Sequence, residues 1–129
     1  MAQAITSSYI LPEDSDRALL IGRVWANSEN GPCPVLLKDG VLYDLTSLAP
    51  TTSELLEIAN LVEALSDVSK FKPLGTLESF LDKSAGELLA PNDLQAVKAA
   101  GVTFADSMLE RVIEEQAKGD PLRAQEIRA

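Results

Sequence analysis

The sequence predicts an α+β protein: a small antiparallel β meander covered by helices, followed by a strand and a charged helix. Three stretches carry that reading. "PVLLKDGVLYDLT" sets Asp39-Gly40 between two apolar runs, the strongest short-range signal for a hairpin, because both turn residues must accept positive φ. "PTTSELLEIANLVEALSDV" opens with Pro50 and then Thr51, three residues ahead of Glu54, which is the start signature of a capped helix. "GVTFADSMLERVIEEQAKGDP", from Gly101 to Pro121, passes from small and β-branched residues into a charged helical pattern. Gly119 then offers a left-handed cap.

Taken in order, residues 1–17 lack periodicity and read as a flexible lead. Ala18 to Ala26, "ALLIGRVWA", is rich in β-branched and aromatic residues and reads as a strand, with Trp25 as its core anchor. "NSENGP" is a turn by composition. Val35 to Lys38 and Val41 to Leu45 then pair across Asp39-Gly40, completing a three-stranded meander. A single helix from Ser53 to Ser66 presents Leu55, Ile58, Leu61, Val62 and Leu65 as one apolar stripe. It covers one face of the meander, since so small a sheet needs a cover. A shorter helix from Thr76 to Asp82 packs Leu77, Phe80 and Leu81. Residues 18–84 therefore form a small N-terminal domain. Residues 85–129 form a linker and the start of a second domain, with a strand from Val97 to Phe104, a helix from Asp106 to Lys118 and another beginning at Pro121.

Composition narrows the chemistry. The chain has 129 residues, 20 acidic against 11 basic, and a formal charge of −9. No Lys/Arg cluster is present, which argues against nucleic acid and anionic membrane as partners. Histidine is absent, so triad catalysis and His-based metal sites have no residues to use. Cys33 is the only cysteine; in "GPCP" it reads as part of a turn or edge strand, unreactive for want of a nearby base. The N-terminus lacks a basic region and an apolar core, and no apolar run approaches a membrane span. A cytoplasmic location is expected.

Few residues remain that could do chemistry. Ser107 and Glu110 lie three apart on one helical face, a spacing that lets a hydroxyl and a carboxylate converge on one substrate atom. From spacing alone, the simpler reading is a surface Glu and a Ser near a helix start. Glu13-Asp14, Asp14-Asp16 and Glu114-Glu115 do not supply the converging oxygens that Mg²⁺ or Ca²⁺ requires, and Gly22, Gly31 and Gly40 are single turn glycines rather than a phosphate loop. No metal or cofactor is expected within this chain.

A resemblance changes the weight of Ser107 and Glu110. "LLAPNDLQAVKAAGVTFADSMLERVIEEQAKGDP", Leu88 to Pro121, resembles the entry to the catalytic domain of the fumarylacetoacetate hydrolase family, in the branch of bacterial sugar-acid proteins akin to 2-keto-3-deoxy-arabinonate dehydratase. "LPEDSDRALLIGRVW", "GPCPVLLKDGVLYDLT" and "PTTSELLE" are similar to that branch's N-terminal domain. Much of the family reads G-x-N-Y-x-x-H-x-x-E at the strand-to-helix element, whose His and Glu form a dyad on a lid. Gly101, Phe104 and Glu110 stand at the Gly, Tyr and Glu positions, while Thr103 and Ser107 replace the Asn and the His. The resemblance thus implies Glu110 as an acid or base and Ser107 as an orienting group, without the dyad. It further implies a lid segment leading into a catalytic domain missing from this chain, Mg²⁺ bound in that domain, and the same domain as partner. It also allows a homodimer. On this reading the 129-residue chain alone is inactive. The alternative is a stand-alone acidic interaction module.

Overall fold

The computed structural model describes residues 5–99 and 105–128, which fall into two compact units, one up to Gln95 and the other from Ala96. The first is built on a five-stranded antiparallel sheet of order β4-β3-β2-β1-β5. Its strands are β1 (Leu20–Ala26), β2 (Gly31–Lys38), β3 (Val41–Asp44), β4 (Lys72–Thr76) and β5 (Gly86–Leu88). Asp39 and Gly40 take φ of 49° and 75°, so the β2–β3 hairpin closes with two left-handed residues, as the turn chemistry requires.

The expected meander is present but forms only the middle of the sheet. β4 escapes sequence reading because "KPLGT" holds a proline and a glycine and shows no alternation. Its proline is tolerated at an edge, where one side needs no donor. A register shift between Leu42 and Tyr43 leaves Leu74 over, and Leu74 packs on the core. β5 has three residues and pairs Gly86 with Ala26 and Leu88 with Val24.

β2 also begins earlier than Val35. Residues 31–34, expected in a turn or edge strand, pair with residues 23–26 of β1 in a strand that is central. Pro34 turns its carbonyl toward β3 and accepts from Leu45 N at 2.9 Å. Pro32 and Pro34 therefore miss donors only where β3 has ended, and the ladder to β1 is intact.

Alternation along β2 feeds two apolar clusters on opposite faces. Val24, Ala26, Cys33, Val35 and Leu42 join Leu77 and Phe80 of α4 (Leu77–Leu81). Leu36 and Leu45 join Ala49, Leu55, Leu65 and Phe71. The sheet is thus covered on both faces rather than one. Trp25 is a correction: its odd position on β1 turns it away from Val24 and Ala26, and it is 41% exposed. It stands opposite Pro32 and Glu87 and anchors no core.

The expected helix from Ser53 to Ser66 is two short ones, α2 (Thr52–Leu56) and α3 (Leu61–Ala64). The start is as expected: Thr51 Oγ1 accepts from Glu54 N at 3.1 Å. Glu57 closes α2, and Asn60 at φ −115°, ψ 42° sets a new start. The break carries Leu55 and Leu65 into one cluster and leaves Val62 73% exposed, outside any stripe. α4 is found where expected, capped by Thr76, whose side chain accepts from Ser79 N. The lead contains one helical turn, α1 (Ser7–Ile10), and Leu11 packs on the first cluster.

The first compact unit runs on to Gln95. β5 belongs to the sheet, Leu89 N donates to Arg23 O at 2.9 Å, and Asp93 is bonded to α2. In the second unit α5 (Ala105–Ala117) and α6 (Pro121–Arg128) pack on each other, with Ala117 and Ala124 buried. Gly119 takes φ 84°, and Asp120 Oδ1 accepts from Leu122 N at 2.9 Å to cap α6. Of the strand expected from Val97 to Phe104, residues 97–99 are irregular and the remainder lies outside the described residues.

Candidate functional site

α5 carries both residues singled out in sequence, three positions apart on one helix. Glu110 is exposed. The side chain of Ser107 lies outside the described residues, as do Gly101, Thr103 and Phe104, so the backbone alone places the pair. Beside Glu110, Met108, Leu109 and Val112 are 57%, 60% and 45% exposed. A helix normally turns such residues to a partner, because packing rather than propensity stabilises it.

Among the described residues, no group of three or more His, Cys, Asp or Glu could hold a metal ion. Cys33 is buried on β2; burial foremost, with Asp44 and Glu29 adding to it, pushes its thiol up to about 11. Such a thiol is protonated at neutral pH and is a poor nucleophile. Glu29 and Lys72 form an ion pair between the β1–β2 turn and β4. It holds the Glu29 carboxyl below its usual range and the Lys72 amine above its own. The pair is at the surface.

One carboxylate with many hydrogen bonds is one that sequence reading passed over. Asp93 Oδ2 accepts from Thr52 N at 2.7 Å and lies 3.9 Å from Arg23 Nε. Its Oδ1 accepts from Ser53 Oγ at 2.6 Å, Leu94 N at 2.7 Å and Ser53 N at 3.1 Å. The Ser53 hydroxyl, and then the amides of Leu94, Thr52 and Ser53, hold the Asp93 carboxyl far below the usual carboxylate range. Both oxygens are committed to protein donors. A carboxylate so saturated lacks the open lone pairs that a base or metal ligand needs. Thr52 Oγ1, buried beside it, has no hydrogen-bond partner. "PND" does signal a turn in the sequence, but not a partner some forty residues back.

A concavity of about 520 Å³ is lined by residues from Ile58 to Ser66 at the break between α2 and α3. It is an open surface depression whose polar members are Asn60, Glu63 and Ser66. Among the described residues no helix is long and apolar enough to cross a membrane. Comparison with protein-family models, curated proteins and solved structures gives no significant match.

Proposed function

We propose that this chain serves as the N-terminal domain and lid segment of a metal-dependent lyase or hydrolase of the fumarylacetoacetate hydrolase kind, acting on 2-keto sugar acids in the cytoplasm. The observation that carries the reading is α5. It sets Glu110, at the position of the family's lid acid, beside exposed Met108, Leu109 and Val112. An acid next to an unpaired apolar line suits a helix that closes over a site built elsewhere. The described residues gather no ligand set for Mg²⁺, so the ion belongs, in this reading, to the C-terminal catalytic domain. There it would polarise the 2-keto acid end of the substrate and acidify the neighbouring carbon. The part of this chain is narrower: Glu110 takes or returns a proton at the reacting carbon or the departing hydroxyl, and Ser107 orients the substrate. In this reading the 129-residue chain alone serves docking and turns nothing over.

A second reading is a free-standing acidic interaction module that uses the same face of α5; the charge of −9 and the exposure of Met108 and Val112 favour it. The intact mass of the protein isolated from its native source separates the two. The first reading expects a polypeptide well above 13.8 kDa that converts a 2-keto-3-deoxy sugar acid when Mg²⁺ is supplied. A native polypeptide of 13.8 kDa would overturn it in favour of the second.

A further inference from the structure

The bonds around Asp93 exceed what α2 needs. That helix has five residues and its own cap, Thr51, which takes the Glu54 amide. Asp93 takes the two remaining first-turn amides, Thr52 N and Ser53 N, from a segment about forty residues further along the chain. The bonding is reciprocal: Leu94 N donates back to Ser53 Oγ at 3.2 Å, and Gln95 Oε1 accepts from Asp93 N at 2.7 Å. Arg23 of β1 holds the same segment from the other side, with Nη1 donating to Ala90 O at 3.3 Å and Nε near Asp93 Oδ2. Between the end of β5 and Gln95, where the first compact unit ends, the segment is held by these bonds to α2 and Arg23 and by Leu89 N donating to Arg23 O.

We propose that Asp93 is a latch that fixes where the chain leaves the first unit. With the latch closed, residues 89–95 are clamped between Arg23 and the start of α2. With it open, the last fixed point moves back to β5, freeing about seven residues, or roughly 23 Å of extended chain. Clamping one end of a tether sets how far and from where the following element can reach. The proposal concerns the first unit alone and holds whichever function α5 serves. It assigns Asp93 a mechanical role that a lone helix cap would not have, because opening it should loosen residues that Asp93 does not touch.

Residue-resolved amide exchange on the full chain tests this. Asp93→Ala should speed exchange at Leu89, whose bond goes to Arg23 rather than Asp93, by about tenfold or more while β2 amides keep their rates. Asp93→Asn, which retains one carbonyl acceptor, should fall between. Ser53→Ala, which removes two bonds and leaves the charge, should show the same pattern at smaller size if Asp93→Ala folds poorly. An unchanged Leu89 rate in Asp93→Ala would overturn the latch, as would equal acceleration of Leu89 and β2, which would make Asp93 only a contributor to global stability.

Discussion

Val35 and Leu36 are consecutive residues of β2, yet each is no more than 2% exposed and they lie in different apolar clusters on opposite faces of the sheet. A central strand buried on both faces needs apolar residues at odd and even positions alike. The helix break that serves the second cluster makes a testable contrast. Leu65→Ala should cost about 2–5 kcal/mol in urea melts, because Leu65 is buried with Leu36 and Leu55. Val62→Ala should stay within about 0.5 kcal/mol. Equal losses at the two positions would mean one continuous helix with a different buried face.

Two glycines should respond very differently to alanine. A Cβ on Gly86 would sit 1.9 Å from the Trp25 carbonyl oxygen and 2.8 Å from the Phe80 ring, so β5 would have to leave β1. Gly86→Ala should lose about 3 kcal/mol or more, or fail to fold. At Gly40 a Cβ meets nothing within 4 Å, and only the φ of +75° resists substitution; Gly40→Ala should cost about 1 kcal/mol. Thermal melts of both variants check the pair, and a tolerated Gly86→Ala would mean β5 is not seated as described.

What could be read in the sequence depended on whether local chemistry decided the outcome. Asp39-Gly40 specifies its own turn, Thr51 caps the helix that follows it, and Leu77, Phe80 and Leu81 mark the short helix after Thr76, so these were legible. β4 and β5 were not, because a strand with Pro73 and Gly75, and another of three residues, exist only through their neighbours. Helical spacing in "ELLEIANLVEAL" suggested one stripe, but no pattern of period 3.6 reveals a reset at Asn60 that two cluster contacts favour. The Ser107–Glu110 spacing was legible as three residues of helix and no more. Asp93 was hidden for the same reason as β5: its partners are distant in sequence.

Cys33 gives an alkaline signature. Its thiol is raised from an ordinary 9.0 to about 11 in the folded chain. The unfolded chain therefore loses that proton first, and the contribution is whole below pH 9 and disappears as pH rises to about 11. Over that window the wild type should lose stability faster than Cys33→Ala. Urea midpoints at a series of pH values measure this. At neutral pH a thiol reagent should modify Cys33 slowly in the native chain and quickly in denaturant; fast native labelling would contradict its burial.

Asp93 gives the acid counterpart. Its folded-state carboxyl is depressed below the ordinary 3.8, so its contribution is present above that value and is lost as pH falls through and below it. Asp67 and Asp82, each lowered by a following serine hydroxyl and amide, act in the same sense at the surface. Asp93→Asn should be less stable than wild type at pH 7 and should converge with it toward pH 2. A constant gap across the whole range would mean that the charge of Asp93 contributes nothing.

The last prediction concerns α5. Met108 and Val112 are 57% and 45% exposed, so replacing both with serine should shift the unfolding free energy of the 129-residue chain by no more than about 1 kcal/mol. Its α5 amides should exchange faster than those of β2, because a 13-residue helix depends on a partner for most of its stability. Docked on a catalytic domain, the same helix should be protected, and the double serine variant should lose that protection. If α5 is the proposed lid, Glu110→Gln preserves shape and removes proton transfer, and in the full-length protein of that reading it should lower kcat by about 10²–10⁴ with KM little changed. The split matters more than the size. A rise in KM with kcat intact would make Glu110 a binding residue, and unchanged kinetics with an α5 already protected in the short chain would make α5 a self-sufficient structural helix.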